Sequence, residues 1–436
     1  MKWQSYCLIV VAAVLLSACT KYTVGGTVTG LTGSGLALQD NAGDNLSVSA
    51  NGPFTFASSV ADSGLYAVTV ATQPSGPTQT CGVHNGSGTI ARAAVTHVIV
   101  SCIQPGSFAF VTNQASSDIS AFSIDASTGV LAQVAGSPFA AAGAAPAAAA
   151  VDPNHQYLYV ANDNTNTVSV FSIDASTGAL TNDGNPIATD NGPAAIYIEP
   201  SDHYLYVANR AANDISAYSI DNSTGQLTPL GNSPFAAGVE TGALQTDPGG
   251  NFLYAANFGE GDVSAFAIDP STGALTSVTG SPFAAGSGAT SIAVDPTGTY
   301  AYVADETAGG IAAYTIDAAT GALTPVSGSP FAAASNPLSV AVDPSGSRLY
   351  ATTALNSGAV ASYSINASTG ALTLFGTVGA GASPGFAAID PSGNFLYVAN
   401  ANSNDLSVYN TISGTPTSVG GSPFATGSSP GWIAID

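Results

Sequence analysis

The chain has 436 residues, 45% of them hydrophobic and only 7% charged, so it carries enough apolar material for a large core and is not a charge-rich disordered tail. Its formal net charge is -22, and beyond Lys21 the only Lys or Arg residues are Arg92, Arg210 and Arg348. Nucleic acid is therefore not an expected partner, because affinity for it comes mainly from Lys and Arg neutralising phosphates, and anionic lipid headgroups are disfavoured for the same reason.

The N-terminus, "MKWQSYCLIVVAAVLLSACTKY", has Lys2, an apolar run from Cys7 to Leu16 and then small residues. That run is shorter than the ~20 apolar residues of a transmembrane helix and has the layout of a secretory signal. "LSAC", Leu16 to Cys19, resembles the lipobox of bacterial lipoproteins, whose cysteine is lipidated and becomes the new N-terminus. The plainer alternative is a cleaved signal with an incidental cysteine. The resemblance implies a signal peptide over 1–18, lipid on Cys19 and a lipid-anchored protein of the bacterial cell envelope. By the same resemblance, Thr20 in place of Asp after the cysteine implies the outer rather than the inner membrane, with either a periplasmic or a surface orientation. If Cys7 leaves with the signal and Cys19 is lipidated, Cys81 and Cys102 remain, and an even pair in an exported chain reads as a disulfide, with two free thiols as the alternative.

Residues 19–103 read as a small β module of short strands separated by Gly, Asn and Asp turns, among them "YTVGGTVTGL", "NLSVSANGPFTFA", "CGVHNGSGTI" and "AVTHVIVSC". An antiparallel sandwich is expected, its last two strands stapled by Cys81 and Cys102. His84 and His97 lie here without a further Cys or His cluster, so no metal site is expected. "IQPGS", Ile103 to Ser107, reads as a linker.

From residue 107 to 436 one phrase recurs. The aromatic anchors Phe110, Tyr159, Tyr206, Tyr254, Tyr302, Tyr350 and Tyr397 are spaced 47–49 residues apart, a signature of repeat architecture. In the unit containing "YVANDNTNTVSVFSIDASTGAL" strand a is "PAAAAVD", strand b "YLYVAN", strand c "TVSVFSID" and strand d "ALTND". Strand a meets b through an Asp-Pro-x-Gly turn, where Pro presets φ and Gly tolerates φ > 0; strand c meets d through Asp-Ala-Ser-Thr-Gly, where Asp accepts nearby N–H groups. No helical period appears. Four strands per ~48 residues, seven times over, predict a seven-bladed β-propeller with blades stacked through strand-c aromatics such as Phe122, Phe171 and Tyr218. The first copy lacks a strand a, whereas the chain stops on one, "PGWIAID". A C-terminal strand completing the first blade closes the ring and removes exposed edges.

The phrase "YVAN...VSVFSID...TGAL" resembles the seven-bladed lactonase family named for 6-phosphogluconolactonase, and its strand b to c portion is similar to the YVTN repeats of microbial surface propellers. The resemblance covers residues 107–436 and implies hydrolysis of a cyclic ester as one possible activity. The N-terminal module resembles small β modules of bacterial surface proteins.

Most carboxylates recur blade by blade and are accounted for by turns, as with Asp152, Asp295 and Asp343 after strand a, Asp125 and Asp174 after strand c, and Asp118 and Asp214 before it. His155 and His203 fall on or beside the turn Gly position, a seat that favours Asn, Asp or His among non-Gly residues. The informative residues break the repeat on the opposite rim: Arg210, Glu240, Glu260 and Glu306, on three adjacent blades, predict a polar pocket at the channel mouth. A solvated surface cluster with a weak ion pair is the alternative. No catalytic residue, cofactor or metal can be assigned: HExxH, P-loop and CxxC motifs are absent, and no GxSxG elbow is present, since the two Gly-x-Ser-x-Gly matches, Gly381–Gly385 and Gly427–Gly431, have no helical pattern after them. Phosphate recognition is discouraged by the lack of any Lys in the propeller. The sequence therefore points first to a membrane-anchored, non-catalytic binding or scaffold module taking a small molecule, glycan or protein at the rim; the alternative is a hydrolase of a non-phosphorylated lactone with a rim carboxylate as base and Arg210 stabilising the oxyanion.

Overall fold

Short apolar alternation bounded by Gly, Pro, Asn and Asp makes strands and turns throughout, and in the computed structural model the described residues are 20–31, 33–41, 43–74, 80–103, 108–353 and 358–436. The expected signal peptide, Cys19 and most of the expected linker lie outside them. Among the described residues the one helical piece is the 3-10 turn Asp163–Thr165. No helix there is long and apolar enough to cross a membrane. The chain divides into two units between Pro105 and Gly106.

The first unit contains β1 (Lys21–Thr29), β2 (Leu36–Asp40), β3 (Asp44–Val48), β4 (Gly52–Ala61), β5 (Leu65–Thr72), β6 (Thr80–His84), β7 (Ser87–Thr89) and β8 (Val95–Ile103). They form two four-stranded sheets, ordered β4-β1-β8-β6 and β3-β2-β5-β7. Val24, Val28, Leu36, Leu38, Phe56 and Val100 are buried in one core cluster drawn from both. The antiparallel expectation needs correction at one pair: β1 and β8 run parallel, with Thr27 opposite Ile99. The first and last strands meet side by side at the middle of their sheet, with no hairpin to impose opposite directions. Cys81 and Cys102 face each other across β6 and β8 and are joined as a disulfide, which decides between the two readings of that pair.

The second unit is a ring of seven antiparallel sheets. Its innermost strands are Pro430–Ile435, Pro146–Val151, Pro193–Ile198, Thr241–Thr246, Ala289–Val294, Pro337–Val342 and Pro384–Ile389, each beside the next around a closed circle. Pro430–Ile435 pairs with Phe108–Asn113, placing Ile433 opposite Val111, so the C-terminal strand completes the first blade as its missing strand a predicted.

The turns behave as their residue types require. Asp125 accepts hydrogen bonds from the Ser127 and Thr128 N–H groups and the Ser127 hydroxyl, which holds its carboxyl below the usual range. Asp295 accepts from the Thr299 and Tyr300 N–H groups, both at 2.7 Å. At the end of strand b, buried Asn257 donates to Asp262 at 2.7 Å and to Ser264 at 2.9 Å, and Asn209 and Asn400 repeat the bridge, so the carboxylate before strand c is a structural acceptor.

Blades are joined by both tyrosine rows. Tyr159 of strand b donates to the Gly225 carbonyl of the next blade at 3.0 Å, and Tyr206 and Tyr254 do the same to Gly273 and Gly321. Tyr218 of strand c reaches back to the Ala188 carbonyl at 2.7 Å. Gly178 shows why the c to d turn ends in Gly: its φ is +72°, and a Cβ would meet the Phe108 ring of the preceding blade at 2.3 Å. Arg348 replaces the aromatic that usually starts strand b and donates to the Thr411 carbonyl at 2.5 Å.

The outer strand differs from the expected single segment. In six blades it is split, as in Leu275–Ser277 and Phe283–Ala284, both paired to strand c. In five of these the gap holds a Ser-Pro cis peptide, and the serine hydroxyl fills the ladder by accepting a strand-c N–H: Ser281 from Ala265 at 2.9 Å, Ser137 from Ala121 at 2.8 Å. The recurring "GSPFA" is therefore a built interruption. The blade ending in Leu372–Gly379 has a continuous outer strand and lacks this device.

Candidate functional site

The inner strands enclose a central cavity of about 860 Å3 whose lining runs from Gln114, Arg210, Phe258 and Glu306 at the rim where the b to c and d to a loops emerge to Asp152, Pro153 and His155 at the other. Among the described residues, the one immediately after strand b stands at the first of these rims, the mouth, in six blades. Its backbone is pinned the same way each time, its N–H donating to a loop carbonyl just before strand a: Gln114 to Ser429, Asp163 to Ala145, Arg210 to Gly192, Phe258 to Glu240 and Glu306 to Gly288. A uniform scaffold thus presents a different side chain from each of these six blades, with Ala401 in the last.

Arg210 and Glu306 line the cavity together with Phe258 and Gln114. The Arg210 guanidinium lies 3.6 Å from Glu240 and 5.1 Å from the Phe258 ring centre. Both members of the ion pair are about half exposed, 50% and 45%, so the pair contributes little to stability and leaves other Arg210 donors open. Glu240 occupies a φ of +56°, and its N–H donates to Asn213 at 2.7 Å. Beside the mouth a recess of about 510 Å3 is lined by Asp163, Asn213, Arg210 and Glu240.

Of the four rim residues singled out by sequence, Arg210, Glu240 and Glu306 thus border these two connected hollows through Arg210. Glu260 does not belong with them. It is exposed, lines neither hollow, and accepts the Val239 N–H at 3.4 Å. Sharing a loop with the mouth does not direct a side chain into it.

Two residues that line the cavity escaped the sequence reading. At the third position of the inner strand most blades carry Ala or Ser, as at Ala148, Ala195 and Ser291, but the last two copies carry Phe386 and Trp432. These rings stack in the cavity with centroids 3.9 Å apart and planes at 22°. Trp432 also packs against the apolar clusters at three successive blade junctions, so it reaches well across the bore. The available signal was the same departure from repetition that marked Arg210.

At the other rim the histidines take turn seats. His155 has φ +56° and Asp202 φ +61°, as expected for the position that other blades give to Gly. Ser201 bridges Glu199 and His203 at 2.6 and 2.7 Å, and Ser345 makes the same bridge between Asp343 and Ser347, so His203 fills a recurring hydroxyl seat rather than a catalytic one. His155 has an additional role. Its Nδ1 lies 2.5 Å from Asp436 Oδ1, a close contact that ties the second blade to the closing strand. Burial pushes Asp152 up to about 6; burial and the neighbouring Asp152 push Asp202 up to about 8. Among the described residues no group of three or more His, Cys, Asp or Glu is arranged to hold a metal.

A family model described as the seven-bladed β-propeller lactonase matches residues 68–192, 184–282 and 240–432. Among solved structures, a candidate 6-phosphogluconolactonase from Bacteroides uniformis is 19% identical, with a TM-score of 0.66 over 75% of this chain and 98% of that one. The periplasmic gluconolactonase of Pseudomonas aeruginosa is 19% identical, with a TM-score of 0.63 over 74% of this chain and 97% of that one. The hydrazine synthase of Kuenenia stuttgartiensis, 22% identical with a TM-score of 0.55, covers 71% of this chain and 93% of its own. At such identities the likeness is one of fold, and the last example bears the name of a different chemistry. A comparison with curated proteins gives no match.

Proposed function

Because the chain belongs to the seven-bladed β-propeller lactonase family, we propose that it hydrolyses a non-phosphorylated lactone at the mouth of its central cavity. The observation that carries this reading is that Arg210 and Glu306, a cation and a carboxylate on different blades, line one cavity from the same register position. In the reaction Glu306 takes a proton from water as the water oxygen bonds to the carbonyl carbon. The Arg210 guanidinium stabilises the resulting oxyanion. Collapse breaks the ring C–O bond, and the leaving oxygen recovers the proton, giving a hydroxy acid.

Charge argues against a phosphorylated substrate. Arg210 already faces Glu240, Glu306 shares its cavity, and the other propeller cation, Arg348, is engaged with the Thr411 carbonyl. A phosphate would meet more carboxylates than cations. The binding-module reading draws on the uniformity of the blades; family membership together with the Arg210 and Glu306 pairing weighs toward hydrolysis. We further propose lipid anchoring through Cys19 in the bacterial outer membrane, on the strength of the "LSAC" sequence. A lactone panel tests the activity: turnover of neutral lactones with none of 6-phosphogluconolactone is expected, and preference for the phosphorylated ring would overturn the proposed substrate class.

A further inference from the structure

We infer that the substrate's lactone ring carries an extended alkyl chain, which runs from the Arg210 and Glu306 mouth down the bore against the Phe386 and Trp432 stack. This rests on the hydrolytic reading for the ring's place, but the chain site is argued from the wall itself. The bore is much larger than a bare five- or six-membered lactone, and about 860 Å3 suits a drug-sized ligand. A small polar ring alone would leave most of it unfilled.

The polar side chains of the wall are largely engaged within it. Ser291 accepts the Val340 N–H at 3.2 Å, and Ser339 accepts the Ala387 N–H at 3.3 Å. Gln245 donates to the Tyr197 hydroxyl at 3.1 Å. With these groups engaged by the backbone or by each other, the middle of the bore presents chiefly methyl groups and rings, including Leu338 and the stacked pair, while Asp152 and His155 line its far end. Sugar hydroxyls threaded there would lose water without replacement, at an unfavourable cost for each, whereas methylenes gain by leaving water. The charged mouth and apolar interior thus match an amphiphile with its polar ring outermost.

Trp432 supplies its own reporter, because Trp3 is the only other tryptophan in the chain. Trp3 lies in the expected signal peptide, and Trp3→Phe removes its signal from any uncleaved protein, so emission reads the bore directly. Titration with γ-lactams bearing no, butyl or octyl substituents, in which N–H replaces the ring oxygen and resists hydrolysis, is expected to change Trp432 emission saturably. Affinity should rise on the order of a hundredfold from the unsubstituted to the butyl ring, from roughly 0.8 kcal/mol per buried methylene. Hydrolysis of γ-butyrolactone and γ-octalactone should show the same preference in kcat/KM. Trp432→Ala can disturb the closing strand, so Ala341→Leu, which narrows the bore from a lining alanine, is the second variant; it should lower the octyl-to-unsubstituted affinity ratio at least about tenfold. Hydrolysis without chain-length dependence would overturn the alkyl site and leave the proposed activity standing. Chain-dependent lactam binding without hydrolysis of any lactone would support the alkyl site and overturn the activity. Neither effect, with folded protein, would overturn the inference.

Discussion

Arg210 owes its importance to position: a uniform backbone hydrogen bond to Gly192 fixes it at the mouth, and only one of its contacts, to Glu240, is ionic. Arg210→Ala should lower kcat/KM for a lactone at least tenfold, about 1.4 kcal/mol, since a charged hydrogen bond is worth roughly 1.5–3 kcal/mol. Glu260→Gln should leave turnover unchanged, and a comparable loss in both variants would place the site outside the cavity. The buried carboxylates make a separate prediction. Asp152 and Asp202, raised to about 6 and about 8 from 3.8, keep protons in the folded state that the unfolded chain has released. The stability they contribute is full below about 3.8 and is lost as pH rises through 6 and then 8, so Tm should be higher at pH 5 than at pH 8, by about 2–5 °C. Asp202→Asn, an exchange its positive φ tolerates, should reduce that difference. The rim residues were legible because repetition cancels and exceptions stand out. Glu260 was misplaced because sequence order does not tell which side of a loop faces the cavity, and Phe386 and Trp432 passed as ordinary strand aromatics.

The blade itself was legible where chemistry recurs at fixed offsets. Period-two alternation gave the strands, and Asp-Ala-Ser-Thr-Gly with Asp-Pro-x-Gly gave the turns, whose carboxylates accept the anticipated N–H groups. The split outer strand was not legible, because a hydroxyl replacing a backbone acceptor in a ladder leaves no period to detect. That device predicts its own cost. Ser281→Ala leaves the Ala265 N–H without its acceptor and should destabilise the protein by about 1–2 kcal/mol in urea unfolding. Ser277→Ala, on the exposed side of the outer strand, is the control and should change stability by less than about 0.5 kcal/mol. Equal effects would mean that the hydroxyl is not filling the ladder. The parallel pair in the N-terminal module was illegible for another reason: pairing between distant strands is set by packing, and alternation says nothing about direction.

For the whole molecule, two ends decide the architecture. Removing Pro430 to Asp436 strips strand a from the first blade, the Trp432 stack from the bore and the Asp436 contact from His155, so the truncated chain should melt well below the intact one. Melting at the same temperature would refute closure by this strand. At the other end, Cys19→Ala should abolish lipid labelling and release the protein from membranes, and undiminished membrane retention would contradict lipid anchoring. The architecture could be read from sequence because seven copies and two complementary ends leave one way to close the ring, whereas activity depends on a few exceptions whose direction only the fold reveals. The most direct measurement is lactone hydrolysis by the wild type beside Arg210→Ala and Glu306→Gln, followed as acid release at constant pH. The account predicts turnover of a neutral lactone by the wild type and at least a tenfold loss in each variant. Undiminished turnover in both variants, or no hydrolysis of any lactone by folded wild-type protein, would contradict it.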